Sequence, residues 1–222
     1  MQWIHRFDLF LFDFDGLLVN TEHLHYQAYI DALAKRGIEM PFSLTNFYEL
    51  AHTNSDAWKK ALVAKCPEVG GDWPIFYQEK KEAYIALIGL GKIELMPGVT
   101  PLLKALDQAK RERCVVTHSD RAFTQRIAEQ LPILRTIPHW ITREDYGRPK
   151  PDPECYLKAI QMFGKIGDRI IGFEDSIRGL SALKKTGARA LLICPKHYPL
   201  LEMALESGGE HFESLLRIQN LH

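Results

Sequence analysis

From about residue 98 onward, short apolar bursts alternate with longer amphipathic stretches. Residues 113–118 (RCVVTH), 139–142 (HWIT), 169–174 (RIIGFE) and 188–194 (ARALLIC) are the bursts, and each reads as a strand. An earlier run, residues 7–14 (FDLFLFDF), has almost no polar alternation. That suits a strand covered on both faces, and Gly16 breaks it. Strands separated by helices predict an α/β fold: a doubly wound, mostly parallel sheet of Rossmann-like type, with the first strand joining the later ones.

Residues 21–92 break this rhythm. Tyr26, Tyr29, Ile30 and Leu33 form a helical stripe closed by Lys35, Arg36 and Gly37. Trp58, Ala61 and Leu62 form a second stripe, which starts after Thr53, Asn54 and Ser55 and stops at Pro67. Phe76, Lys80, Ala83, Tyr84 and Leu87 form a third after Asp72 and Pro74. The aromatic residues at this spacing read as packing core, and Lys80-Lys81 as a solvated helical face. The expected division is an α/β core of residues 1–20 and 93–222 with an inserted all-α cap domain, residues 21–92. The chain would cross near Asn20 and return near Met96-Pro97-Gly98.

The 222 residues include 28 Lys+Arg and 28 Asp+Glu. No global field draws such a chain to nucleic acid or an anionic membrane, so any phosphate must be gripped locally. Cys66, Cys114, Cys155 and Cys194 form no CxxC pair, which points to reduced thiols rather than a zinc site or disulfide framework. Asp8, Asp13 and Asp15 stand where an export signal needs an uncharged stretch, and no apolar run is long enough to span a membrane. The expectation is a cytoplasmic protein, monomeric, with neither nucleic acid nor membrane as partner.

Ligands of open parallel sheets sit beyond the carboxyl ends of the strands. There the sequence places Asp13 and Asp15, then Thr117-His118-Ser119, then Lys150 in GRPKP, then Glu174-Asp175-Ser176. Asp13 and Asp15, two apart on an extended chain, point the same way. Clustered with Asp175 and Glu174 they call for a cation, and oxygen-only ligands favour Mg²⁺. Thr117 can hydrogen-bond a phosphoryl oxygen, Lys150 can supply a fixed positive charge, and one Asp can act as nucleophile.

The motifs LFDFDGLL (11–18), VVTHS (115–119), GRPKPDP (147–153) and IGFEDS (171–176), in that order, resemble those of the haloacid dehalogenase-like hydrolase superfamily, in its helical-cap subgroup. The resemblance implies Asp13 as nucleophile and Mg²⁺ ligand. It implies Asp15 as general acid/base and, through its backbone carbonyl, a metal ligand. Asp175 would be a further ligand, Glu174 a direct or water-mediated one, and Thr117 and Lys150 the phosphate grips. His118 and Ser119 join the substrate-binding candidates. A squiggle and flap over residues 16–20 would couple substrate arrival to cap closure.

Asp15 argues against dehalogenase or phosphonatase chemistry, which in this superfamily lacks that second acid. The expected activity is therefore Mg²⁺-dependent hydrolysis of a small phosphorylated metabolite, a sugar phosphate, through an aspartyl-phosphate. The alternatives are a β-phosphoglucomutase-like phosphomutase and a non-catalytic binding or regulatory module. Residues 21–25 (TEHLH) resemble the mutases, with His25 at their hinge histidine and a candidate for substrate contact. The mutases' cap-loop arginine is missing from residues 51–55 (AHTNS), which read as the corresponding loop.

Overall fold

The structure, a computed structural model, describes residues 1–221 and divides into two units, Met1–Asn20 with Glu94–His222 and Thr21–Ile93. The first begins with a short 3-10 turn, Gln2–Arg6, and strand β1, Leu9–Phe12. β1 is buried along its whole length. Its side chains divide by parity: Leu9 and Leu11 join one apolar cluster, while Phe10 lies 6.0 Å from the Trp3 ring and Phe12 stacks on Phe173 at 5.0 Å.

The second unit is helical: α1 (Glu22–Ala34), α2 (Leu44–Thr53), α3 (Ser55–Lys65) and α4 (Trp73–Gly89). Its core gathers Tyr29, Phe47, Trp58 and Phe76, with the Trp58 ring edge-on to Phe47 at 4.9 Å and to Tyr29 at 5.2 Å. The sequence stripes account for α1, α3 and α4 but not for α2. Its start is a reciprocal cap: the Ser43 side chain accepts from the Asn46 N–H while the Asn46 side chain accepts from the Ser43 N–H. Ala51–Thr53 therefore close a helix instead of forming a loop, and the Asn54 side chain caps α3 through the Asp56 N–H. Lys80 corrects a second expectation. It is buried on the same α4 face as Phe76, Ala83 and Tyr84, whereas Lys81 is half-buried.

Back in the first unit come α5 (Val99–Gln108), β2 (Glu112–Val116), α6 (Arg121–Gln130), β3 (His139–Ile141), α7 (Glu154–Phe163), β4 (Ile170–Glu174), α8 (Ile177–Lys184), β5 (Arg189–Ile193), α9 (Leu201–Glu206) and β6 (Glu210–Phe212). All neighbours pair in parallel, in the order β3-β2-β1-β4-β5-β6, an α/β sheet of the doubly wound kind with β1 central. β6 was not legible: three half-buried residues at an edge make no apolar burst. The outgoing and returning chain segments clasp each other, the Asn20 N–H donating to Glu94 O at 2.9 Å and the Met96 N–H to Leu18 O at 3.0 Å. Gly98 follows in the left-handed region at φ 95°, and a Cβ there would lie 2.4 Å from the Leu216 nitrogen, so no other residue fits. No helix among the described residues is long and apolar enough to cross a membrane.

Candidate active site

The carboxyl ends of β1, β2 and β4 meet the segment after β3 around the Lys150 ammonium. Asp13 extends the pairing of β1, its N–H donating to Phe173 O at 3.0 Å, and so keeps the parity of Leu9 and Leu11. Lys150, 3% exposed, donates to Asp13 Oδ1 at 2.7 Å, Glu174 Oε1 at 2.7 Å and Val116 O at 2.9 Å, with the Tyr156 hydroxyl at 3.1 Å. A buried ammonium needs such compensation. Burial opposes its charge, but Asp13 and Glu174 outweigh that and keep its pKa well above the usual lysine value.

Glu174 has no exposed surface. Its Oε1 accepts from Lys150 and from the Tyr156 hydroxyl, and the Ser176 hydroxyl lies 3.4 Å from Oε2. Behind it, a Cβ on Gly179 would lie 2.0 Å from the carboxylate, so the first turn of α8 presses against this acid only because that position is glycine. Ser176 caps α8, its Oγ accepting from the Gly179 N–H at 3.3 Å.

The second acid, Asp15, is buried and accepts from the Ser119 hydroxyl at 2.5 Å. Thr117, also buried, accepts the Ser119 N–H on Oγ1 at 2.9 Å. His118 has a different neighbour: its Nε2 accepts the Lys150 backbone N–H at 2.9 Å.

Burial and the adjacent Glu174 push the Asp13 carboxyl up to about 7, against the pull of Lys150. The acids thus exceed the positive charge beside them. Asp13, Glu174 and Asp175 each offer a carboxylate oxygen within 4.8 Å of the others, an all-oxygen set that fits a hard divalent cation such as Mg²⁺.

Eight of the nine site residues singled out in the sequence lie in the sheet unit. His25 lies on α1 of the helical unit, where its ring stacks on Tyr84 at 4.0 Å and its Nδ1 is 2.9 Å from Lys80 Nζ. His52 in the same unit sits 3.2 Å from Glu22. Sequence reasoning missed Tyr156, Tyr146 and Gly179. Tyr156 lies in the first turn of α7 and reads as core; its reach to Lys150 depends on how α7 lies across the sheet. The four free cysteines are all buried, and burial pushes the thiols of Cys155 and Cys194 up to about 12, which leaves both inert.

A family model described as haloacid dehalogenase-like hydrolase matches residues 7–187. Protein CbbY of Rhodobacter capsulatus is 27% identical over 197 residues, spanning 85% of this chain and 85% of that protein. Validoxylamine A 7'-phosphate phosphatase of Streptomyces hygroscopicus subsp. limoneus is 29% identical over 177 residues, 80% of this chain and 81% of that one. Among solved structures, CbbY of Rhodobacter sphaeroides in complex with phosphate shares the fold with a TM-score of 0.79, at 22% identity and over 97% of each chain.

Proposed function

The chain belongs to the haloacid dehalogenase-like hydrolases, and from that premise we propose that this phosphoric monoester hydrolase is a Mg²⁺-dependent phosphatase of a sugar phosphate. Asp13 is the nucleophile and Asp15 the general acid/base. The observation that carries the reading is the Lys150 ammonium, buried and 2.7 Å from both Asp13 and Glu174. That is a fixed positive charge at the acid that would receive the phosphoryl group. The phosphatase named among the relatives supports the substrate class.

An Asp13 oxygen attacks phosphorus as the bond to the substrate's alcohol oxygen breaks, and Asp15 gives that oxygen a proton. Water then attacks the phosphorus of the acyl phosphate, Asp15 takes the water's proton, and inorganic phosphate leaves as Asp13 is restored. The Ser119 hydroxyl at 2.5 Å orients Asp15 for both transfers. Thr117 uses Oγ1 to accept the Ser119 N–H and turns its own O–H toward a phosphoryl oxygen. Asp13 and Asp175, with Glu174 and the Asp15 carbonyl, would hold Mg²⁺. When bound, the ion supplies positive charge beside the transferring phosphoryl oxygens.

Phosphate release across a panel of sugar phosphates, nucleotides and phosphoglycolate, with Mg²⁺ or EDTA, tests this. Release that needs Mg²⁺ and disappears in Asp13→Asn is expected. Isomerisation of a hexose 1-phosphate with little free phosphate would replace the phosphatase by a mutase. An active Asp13→Asn would remove Asp13 as nucleophile.

A further inference from the structure

Lys150 arrives on a loop whose backbone is held by side chains at almost every step. Arg143 donates to the carbonyls of Tyr146 at 2.7 Å and Gly147 at 3.3 Å, and Lys158 donates to that of Asp145. The Glu154 carboxylate accepts the N–H groups of Gly147 at 2.8 Å and Arg148 at 3.0 Å. Lys185 donates to Pro151 O at 2.9 Å. These holds come from β3's own loop, from α7 and from just beyond α8. The contact between His118 Nε2 and the Lys150 N–H is different, because it comes from the loop after β2 that also carries Thr117 and Ser119.

A second link closes a ring of contacts. The His118 ring stacks on Tyr146 with centroids 5.8 Å apart and planes at 25°, and the Tyr146 hydroxyl donates to Thr117 O at 3.0 Å. Thr117, His118, Tyr146 and Lys150 thereby tie two motif loops from separate strands into one body.

We infer that His118 is a positioning residue, which fixes Lys150 against Asp13 by accepting the Lys150 backbone N–H, rather than a group that touches substrate. The inference rests on the phosphoryl-transfer reading of the site. A donor aimed at Nε2 requires that nitrogen to be unprotonated, so the ring is neutral with its hydrogen on Nδ1. Burial, with the charges of Arg178, Lys150 and Arg143, favours the neutral ring, and the Asp15 carboxylate opposes them.

Two variants of the full chain separate positioning from packing. His118→Phe keeps a ring for Tyr146 and loses the acceptor, whereas His118→Gln places an oxygen near the position of Nε2. With the best ester of the phosphate-release panel, the Phe variant is expected to lose about tenfold or more in kcat, with KM within about threefold. A displacement of about 1 Å in a catalytic group is enough for a loss of that order. The Gln variant recovers to within about threefold of the parent. In NMR spectra the parent His118 reads as the Nδ1–H tautomer, and Lys150 amide exchange speeds up in the Phe variant but not in the Gln variant. A Phe variant with parental kcat, equal losses in both variants, or a proton on Nε2 would each overturn the inference. A parent protein that releases no phosphate would sink the functional reading instead, while the tautomer and exchange data would still report on the contact.

Discussion

Each of the two units buries a lysine, and the contacts given to the two differ. Lys150 in the sheet unit is 3% exposed and faces two carboxylates at 2.7 Å. Lys80 in the helical unit is 4% exposed, with its ammonium 5.1 Å from the Tyr29 ring centroid, 5.0 Å from that of Tyr84 and 2.9 Å from His25 Nδ1. Ion pairs in a dry site are strong and directional, so they fix an atom in place. Ring faces attract a cation over a broad area, with less demand on its exact position. Similar burial thus goes with different contacts, two carboxylates at the Lys150 ammonium and two ring faces with an imidazole nitrogen at that of Lys80.

Removing each lysine tests that difference, and Lys150 carries the larger effect. Lys150→Met leaves Asp13 and Glu174 facing each other without their shared cation. The expected cost is about 3–5 kcal/mol of folding stability, the usual penalty for leaving a buried charge unpaired. A fall in kcat of about 10²-fold or more is expected alongside, as for loss of a positioned electrostatic group. Urea unfolding in EDTA and phosphate-release kinetics read the two quantities. A variant as stable as its parent would show that the acids do not depend on Lys150.

Gly179→Ala attacks the same cluster from behind without touching a charge. The new Cβ would meet the Glu174 carboxylate at 2.0 Å, and that carboxylate is already engaged by Lys150 and Tyr156. An overpacking cost of about 1–3 kcal/mol is expected. A neutral result by the same urea measurement would mean that α8 yields, and that Glu174 is less firmly set than the contacts imply.

The sheet unit was far more legible in the sequence than the helical one, for physical reasons. Its strands are apolar bursts that must be covered on both faces, and the candidates Asp13, Thr117 and Glu174 stand at the ends of such bursts, with Lys150 in the segment after the third. The partners that place those groups could not be found in this way. Tyr156 and Gly179 look like ordinary helix residues, and their contacts with Glu174 depend on how α7 and α8 lie across the sheet. In the helical unit α2 went unread because its start is a Ser43–Asn46 cap and only Phe47 of its apolar residues is fully buried. Two adjacent lysines usually face water, so the sequence pattern gives no sign that Lys80 is buried. On α4 the first of them turns inward with Phe76 and Tyr84.

Lys80→Met is the smallest expected effect and the one that decides the comparison. Methionine keeps the length and the apolar stem, gives up the attraction to two ring faces, worth about 0.5–2 kcal/mol each, and the contact with His25 Nδ1, and no longer requires an ammonium to leave water. These changes oppose each other, so stability is expected to stay within about 1 kcal/mol of the parent. The unfolding midpoint and slope in urea measure it, and an unchanged slope would confirm that the same surface is still buried. A loss of about 3–5 kcal/mol, as large as that expected for Lys150→Met, would mean that the Lys80 ammonium is held as tightly as that of Lys150. The distinction between the two lysines would then fall.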